Sequence, residues 1–326
     1  MNTSNAQLAR DYIKRFPRHG SRTLARLMAK EHPARWTVES ARDCVMKCST
    51  KSGVSNRYIQ AQRTPTVAPP PAVPESKAKA WTPVQLCEKS ERVFVMSDIH
   101  VPYHDDLALA CALDEAKAYK PTIIFINGDL CDFYAISRWV TDPDVRDFKG
   151  EIASLRQFLA ALRSLFQKAR IVLKLGNHEE RFWHYIWHRC PELLGIDAAS
   201  FSSLIHADKH RVEVIGEKRI VLLGKLATLH GHELPKGLAT PVNPARGAFL
   251  RALDSLMVGH LHRTSEHTET TLGGKIITCW STGMLCDPHP QYAPVNRWNP
   301  GAATVTVSKD GSFAVDNFRI HNGKRL

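Results

Sequence analysis

Three apolar, β-favouring runs in the middle of the chain each end at a polar fragment that contains aspartate or asparagine. The runs and the fragments that follow them are residues 92–97 with Asp98-Ile99-His100, residues 121–127 with Gly128-Asp129, and residues 170–175 with Gly176-Asn177-His178-Glu179. Segments with helical apolar spacing, at 106–119 and 150–168, lie between the runs. This alternation predicts a largely parallel sheet with crossover helices. Because the carboxyl ends of parallel strands share one sheet edge, the polar fragments are expected to meet there.

Two histidine-rich fragments follow along the chain, His230-Gly231-His232 and Gly259-His260-Leu261-His262. Carboxylate, amide and imidazole groups are all metal ligands in proteins. Further strands are predicted from β-favouring runs at residues 211–215, 219–223, 256–258, 276–280, 303–307 and 313–318. The last two form a hairpin around Lys309-Asp310-Gly311. The sequence therefore predicts an α/β domain with metal-ligating side chains at its strand ends.

The composition is that of an ordinary globular protein, with 43% hydrophobic and 23% charged residues. No apolar run approaches the ~20 residues needed to span a bilayer, and residues 1–16 lack the apolar segment of a signal peptide. We therefore expect a cytoplasmic protein without a membrane partner. The eight cysteines include no Cys-x-x-Cys pair, so reduced thiols are expected rather than disulfides or a zinc finger.

Much of the formal net charge of +12 lies in residues 1–63, which hold 13 lysines and arginines against four acids, a balance of +9. Apolar spacing in this segment predicts three short helices, at 6–16, 21–31 and 38–47. A small basic all-α module of this kind is helix-turn-helix-like and favours nucleic acid as its partner. A module that docks a protein and a basic face that is only solvated are the alternatives.

Five prolines between residues 65 and 74 favour an extended spacer over helix or sheet. A proline-rich ligand for a partner domain is the competing interpretation. We predict a basic helical module at 1–63, a Pro/Ala-rich linker at 64–80 and a catalytic domain at 81–326.

The five polar fragments, in this order, resemble the calcineurin-like metallophosphoesterase superfamily, whose pattern is Asp-x-His, Gly-Asp, Gly-Asn-His-Asp/Glu, His and Gly-His-x-His. The resemblance covers about residues 90–285 and includes all five blocks. It implies a four-layer α/β/β/α sandwich of two mixed sheets flanked by helices. It also implies a dinuclear metal site at the strand ends.

The resemblance also implies a ligand set. It assigns to one metal Asp98, His100, Asp129 and His262, and to the other Asp129, Asn177, His230 and His260. Asp129 would bridge, which suits two dications that need an anionic oxygen between them. Mn²⁺ is the expected ion, with Fe, Zn or Ni as alternatives. The resemblance favours His230, but spacing alone leaves His232 open as the ligand.

His178 resembles the catalytic histidine of the family and would act as general acid. It would protonate the leaving alkoxide while a metal-bridging hydroxide attacks phosphorus in line. Arg181, three residues later, would bind a phosphate oxygen or face solvent.

Several neighbouring residues are weaker candidates. Asp132, His104 and Asp105 would orient ligand imidazoles or serve as surface and capping residues. The loop with Tyr134, Arg138 and Trp139 would shape a substrate groove, or Trp139 would pack inside the domain; these six positions all lie close to the first two motifs.

The predicted function is a dinuclear metal-dependent phosphodiesterase or nuclease that acts on nucleic acid or nucleotides. A phosphomonoesterase that acts on a phosphoprotein or a small phosphate ester is the first alternative. A non-catalytic DNA-binding scaffold is the second.

Overall fold

The computed structural model describes residues 4–49, 74–78, 81–216, 218–235 and 242–326. The chain divides into two compact units, Met1–Ala78 and Lys79–Leu326. This division falls inside the predicted linker, of which residues 64–73, 79 and 80 lie outside the described part. The linker and the domain limits at residues 63 and 81 therefore stay predictions.

Three helices form the N-terminal unit: α1 (Asn5–Arg15), α2 (Ser21–Glu31) and α3 (Val38–Ser49). Ser4 caps α1 by accepting a hydrogen bond from the backbone N–H of Gln7 at 3.2 Å. The helices pack around a small apolar core of Ala9, Tyr12, Leu24, Ala25, Met28, Trp36, Ala41 and Val45. The all-α module is confirmed, with helix limits within two residues of those predicted from apolar spacing.

The C-terminal unit contains two β-sheets. Its strands in the described residues are β1 (Val84–Gln85), β2 (Glu91–Met96), β3 (Ile123–Asn127), β4 (Arg170–Lys174), β5 (Val212–Ile215), β6 (Val221–Leu223), β7 (Leu226–Leu229), β8 (Leu256–Val258), β9 (Ser265–Thr270), β10 (Ile276–Ser281), β11 (Gly301–Val307), β12 (Phe313–His321) and β13 (Lys324–Arg325). The first sheet has the order β13-β12-β11-β2-β3-β4-β5, and the second has the order β1-β6-β7-β8-β10-β9.

Helices connect and cover these sheets. They are α4 (Asp106–Tyr119), α5 (Phe148–Leu165), α6 (Asn177–Arg189), α7 (Phe201–Leu204), α8 (Ala207–His210) and α9 (Pro244–Ala252), with short 3₁₀ turns at Tyr134–Ile136, Pro143–Val145, Pro191–Leu193 and Asp197–Ala199. Within the described residues, no helix is both long enough and apolar enough to cross a membrane.

The alternating side chains of β2 define the layers. Val95 belongs to a buried cluster that includes Met257 of the second sheet, so the two sheets share a core. Met96, on the opposite face, belongs to a cluster that includes Leu155 of α5. Ala248 of α9 packs in a third cluster with residues of β8 and β10, on the other side of the second sheet. The predicted four-layer α/β/β/α sandwich is confirmed.

The largely parallel sheet that the alternating pattern predicts is present only in part. Strands β2 to β5 pair in parallel, whereas the hairpin β11–β12 adds two antiparallel strands beside β2. The second sheet is mixed, as the family resemblance implied. Strand β9 escaped sequence analysis because its sequence, Ser-Glu-His-Thr-Glu-Thr, is polar throughout and forms the exposed edge of that sheet.

Candidate metal centre

The predicted metal ligands gather from strand ends of both sheets. In the first sheet they are Asp98 and His100 after β2, Asp129 after β3 and Asn177 after β4, and in the second they are His230 after β7 and His260 and His262 after β8. Both sheets therefore supply donors to one cluster, which extends the single sheet edge expected from the first three motifs.

Asp129 lies at the centre of this cluster. Its Oδ2 is 3.1 Å from Nε2 of His230 and 3.8 Å from Nε2 of His100. Asp129 belongs to two groups of residues whose possible metal-binding atoms lie within 4.8 Å of one another. The first group contains Asp98 and His100, and the second contains His230 and His260. A residue common to both groups occupies the place that a bridging ligand would need.

His262 contacts the cluster from the second sheet, with its Nε2 3.0 Å from Oδ1 of Asp98. Sequence analysis missed one further donor at this point. The Cys286 sulfur lies within 4.8 Å of a ring nitrogen of His100 and a ring nitrogen of His262. Cys286 is buried and belongs to no metal-binding spacing pattern, so nothing in the sequence distinguished it from a core cysteine.

The backbone at the cluster is held in an unfavourable conformation. Positive φ angles occur at five of the seven predicted ligands, namely Asp98 (55°), His100 (53°), Asp129 (53°), His260 (62°) and His262 (54°). A left-handed conformation costs an L-residue on the order of 1–3 kcal/mol and clusters at functional sites. The surrounding structure therefore holds these residues in a strained conformation that directs their side chains towards one another.

Several buried nitrogen and oxygen atoms that could coordinate a metal ion make no hydrogen bond. His100 Nδ1 lies 2.8 Å from Oδ1 of Asp132, and His230 Nδ1 lies 2.7 Å from the carbonyl oxygen of Asn127. These contacts favour a proton on each Nδ1 and leave the Nε2 atoms without a hydrogen-bond partner, as is also true of Asn177 Oδ1. Imidazoles oriented in this way, with an amide oxygen and carboxylates, fit a divalent metal site.

The histidines and aspartates of the cluster shift one another's pKa values, because opposite charges lie close together in a buried site. Burial disfavours the charged imidazole of His230, but the Asp129 carboxylate outweighs it and raises its pKa to about 10. Burial likewise opposes charge on Asp98 and Asp129, yet their histidine neighbours hold both carboxyl pKa values below the usual range. A bound cation would take over the role of these protons, so its affinity depends on pH.

The choice between His230 and His232 follows the hydrogen bonds. His232 Nε2 lies 3.0 Å from Oε1 of Glu180, and its ring centroid is 5.4 Å from that of His230. His230 is fully buried and points its free Nε2 towards Asp129. His230 is therefore the histidine of the two that lies in the Asp129 cluster, and His232 lies beside it.

Glu179 holds the loops that carry the ligands. Its carboxylate accepts backbone N–H groups from Asp129 (3.0 Å), Leu130 (2.8 Å), Cys131 (3.1 Å) and Gly176 (2.7 Å). Glu179 is fully buried and lies in the first turn of α6. It thereby ties the loop after β3 to the loop after β4, a role that the motif alone did not reveal.

His178 lies beside the cluster in a network of hydrogen bonds. Its Nδ1 is 2.8 Å from the carbonyl oxygen of Asp132, and its Nε2 is 3.0 Å from the Arg181 guanidinium. Arg181 also donates to the same carbonyl at 2.8 Å. Burial, together with the nearby His100 and Arg181, lowers the pKa of His178 against the opposing effect of the Asp129 carboxylate. Arg181 therefore faces the proposed catalytic histidine rather than solvent.

The three weaker candidates near the first two motifs differ in the contacts that they make. Asp132 contacts His100, one of the predicted ligands. Asp105 instead caps α4 by accepting the backbone N–H of Ala108, and His104 lies 3.3 Å from exposed Asp106. Asp105 is therefore a capping residue and His104 a surface residue.

A buried ion pair that sequence analysis did not predict lies next to the loop that carries His230. Lys174 is fully buried at the end of β4, and its ammonium group contacts the Glu233 carboxylate. Glu233 also accepts the backbone N–H of Gly231 at 2.7 Å. The pair links the first sheet to the loop after His230, and the lysine inside an otherwise apolar run was the available sequence signal.

A groove of about 1370 Å³ opens beside the centre, with Asn177 and His260 among its lining residues. Its cationic side chains are Arg138, Arg146, Arg181, Arg189, Lys218 and Arg251. Among the described residues, Glu180 is the only acid that lines it. Arg138 and Trp139 line the groove as predicted, while Tyr134 holds the loop by accepting the backbone N–H of Asp142 at 2.8 Å.

The model of the calcineurin-like phosphoesterase family matches residues 91–263. The chain belongs to this family. Two relatives, both named Gene 54 protein, from Mycobacterium phages L5 and D29, are each 28% identical to it over 231 residues, which cover 67% of this chain and 89% of the phage protein.

Solved structures with a similar fold include vacuolar protein sorting 29 from Cryptosporidium parvum, at 14% identity over 73% of this chain and 95% of that chain, with a TM-score of 0.41. The E. coli phosphoesterase YfcE is 16% identical over 69% of this chain and 98% of its own, with a TM-score of 0.32. The family match carries the assignment. The protein is accordingly a metal-dependent phosphoester hydrolase, and its cluster of buried histidines and aspartates indicates divalent metal binding.

Replacing Glu179 by Gln should destabilise the protein. The amide nitrogen cannot accept a hydrogen bond, so buried N–H groups lose their partner, at a cost of about 2–4 kcal/mol in the free energy of unfolding. Urea denaturation in chelator measures this cost. Glu180→Gln is the matched control, because Glu180 is the next residue of the same helix and its contacts are with the His232 and Lys218 side chains rather than with backbone N–H groups of the loops, so a smaller loss is expected. Equal losses in both variants would contradict the role of Glu179.

Glu151 should make stability fall with rising pH. It is 2% exposed, and burial raises the pKa of its carboxyl to about 7. Between pH 4.5 and 7 the folded state thus keeps a proton that the unfolded chain loses, and the free energy of unfolding decreases. In Glu151→Gln, stability relative to wild type should rise by about 3 kcal/mol across this range. Parallel stability curves from urea denaturation at several pH values would rule this out.

Proposed function

We propose that the protein is a dinuclear phosphodiesterase that cleaves nucleic acid. The observation that carries this proposal is the cationic groove beside the metal centre, where six lysine and arginine side chains face a single acid among the described residues. A polyphosphate backbone complements such a surface. A small monoester would occupy only the floor of a groove of this volume.

Two groups of residues would hold the ions, with Asp129 common to both. The sets are Asp98, His100, Asp129 and His262 for one ion, and Asp129, Asn177, His230 and His260 for the other. Two bound divalent ions supply Lewis acidity and activate water for attack on phosphorus. The mixture of carboxylate, amide and imidazole donors suits Mn²⁺, with Fe, Zn or Ni as alternatives.

Protein groups around the ions would position the substrate and move the proton. Arg181, which contacts Nε2 of His178, would exchange that contact for a phosphate oxygen. Once Arg181 has left Nε2, His178 would take up a proton there and donate it to the leaving alkoxide, while the Asp132 carbonyl oxygen keeps the Nδ1–H oriented. This series makes Arg181 the substrate contact and His178 the proton donor.

The basic module would provide a second nucleic-acid surface on the same chain. Arg22, Arg26 and Lys30 of α2 follow one another at four-residue spacing and are all exposed. This spacing places them on one side of the helix. A row of cations on one helix face suits contact with phosphates.

Helix α3 is less suited to that contact, although a helix-turn-helix arrangement would use it to read bases. Its exposed charges are Glu39, Arg42, Asp43 and Lys47, which cancel. We therefore assign the phosphate contact of the module to α2.

Hydrolysis of bis-p-nitrophenyl phosphate should exceed that of p-nitrophenyl phosphate in Mn²⁺, and chelator should abolish both. His178→Ala should lower diester turnover by about 10²–10⁴-fold, since proton transfer to the leaving group is lost. His321→Ala, at an exposed position, is the matched control. Asp129→Asn should be inactive.

Each other outcome points to an alternative. Preference for the monoester would reject the diesterase and favour a phosphatase. No turnover of either substrate, together with DNA binding, would favour the scaffold.

The contribution of the module can be measured by salt dependence. The double variant Arg22→Gln/Arg26→Gln should reduce the dependence of duplex DNA affinity on salt, by about 0.9 in log–log slope per lost phosphate contact. Arg42→Gln/Lys47→Gln removes the same charge from α3 and should change the slope little. A larger effect in the α3 pair would restore the helix-turn-helix interpretation, and no effect in either would favour protein docking.

A further inference from the structure

We infer that the groove binds its nucleic acid as a single strand, with bases stacked on Trp139 and Tyr185. This inference rests on the proposed function and specifies its substrate. Both aromatic residues line the groove next to cationic side chains. Aromatic faces alternating with cations are typical of proteins that bind single-stranded nucleic acid, because every unpaired base offers a face for stacking.

Trp139 forms one wall and presents an unusually open aromatic surface. It is 67% exposed, and the Arg138 guanidinium lies over its ring at 5.1 Å from the centroid. Within the described residues, Arg138 has no ion-pair partner. An exposed indole that stacks with an unpaired guanidinium offers a base a flat surface and its phosphate a charge.

Hydrogen bonds hold the loop that carries Trp139 in a defined conformation. The Arg146 side chain donates to the hydroxyl (2.8 Å) and the carbonyl oxygen (2.9 Å) of Thr141. Buried Glu151 accepts the backbone N–H of Ala135 at 3.0 Å. The Trp139 surface is therefore held in place from both ends of its loop before any ligand arrives, which reduces the entropy lost on binding.

Helix α6 forms another wall and runs outward from the metal centre. Seven of its residues line the groove, and five of them follow one another at three- and four-residue spacing: Arg181, His184, Tyr185, His188 and Arg189. This is one face of a helix whose 13 residues extend about 20 Å. Since Asn177 starts the same helix, the row of cationic and aromatic groups leads directly to the predicted metal ligands.

The volume and the charge both indicate a polymer with unpaired bases. The groove exceeds the roughly 300–1,000 Å³ of small-ligand pockets. Among the described residues that line it, the acid Glu180 lies 3.0 Å from His232 and 3.4 Å from the Lys218 ammonium group. A duplex would offer phosphates to the cations but would keep its base faces stacked inside the helix, leaving Trp139 and Tyr185 unused.

The test compares binding of a labelled oligothymidylate and a duplex of equal length to the full chain, by fluorescence anisotropy in chelator so that nothing is cleaved. Trp139→Ala should weaken single-strand binding about tenfold, as expected for loss of one stacked base. Its effect on duplex binding should be much smaller. Trp139→Phe should retain most of the single-strand affinity.

Trp187→Ala is the matched control, because Trp187 is 54% exposed on the same helix as Tyr185 but does not line the groove. Equal effects of Trp139→Ala and Trp187→Ala, or equal losses for single strand and duplex, would overturn the inference. If Trp139→Ala fails to fold, as judged by circular dichroism, Tyr185→Ala replaces it with the same expectation. Absence of diester turnover in wild type would refute the proposed function separately, since the binding measurement needs no catalysis.

Discussion

The carboxylate of Glu179 is the interaction on which the metal centre depends. Four backbone N–H groups from two loops point at its two oxygens, deep in the protein. These loops carry Asp129, Asn177 and His178, so one buried charge fixes the relative positions of the central carboxylate, the amide and the imidazole. Hydrogen bonds to an ionised acceptor are roughly twice as strong as neutral ones, which allows a single side chain to organise that much backbone.

The strained backbone around the ligands fits the same picture. Left-handed conformations at Asp98, Asp129 and His260 would relax if the surroundings allowed it. Glycines at the adjoining positions permit the loops to approach closely: a side chain at Gly176 would meet Asp129 Oδ1 at 2.3 Å, and one at Gly128 would meet the His230 ring at 2.4 Å. The glycines of the motifs are thus required for packing between the ligand loops.

Sequence patterns predicted the parts of this structure that rest on local rules. The apolar spacing of α2 and the runs ending at Asp98 and Asp129 reflect burial, which period and composition record directly. The ordered motifs predicted a ligand set, and six members of it lie in the groups of neighbouring donor atoms: Asp98, His100, Asp129, His230, His260 and His262. The sequence did not predict β9, whose polar residues lie at an exposed edge, or the contacts of Glu179, Glu233 and Cys286. Those depend on which loops meet in three dimensions, and no periodicity encodes that.

The division of the ligands between two sheets has a mechanical consequence. Asp98 and Asp129 follow strands of one sheet and His230 and His262 follow strands of the other, so divalent ions bound between them would tie the two sheets together. Separation of the sheets would then require release of the ions. The melting temperature of the domain would rise with free ion concentration, and resistance to proteolysis would report how fully the centre is loaded.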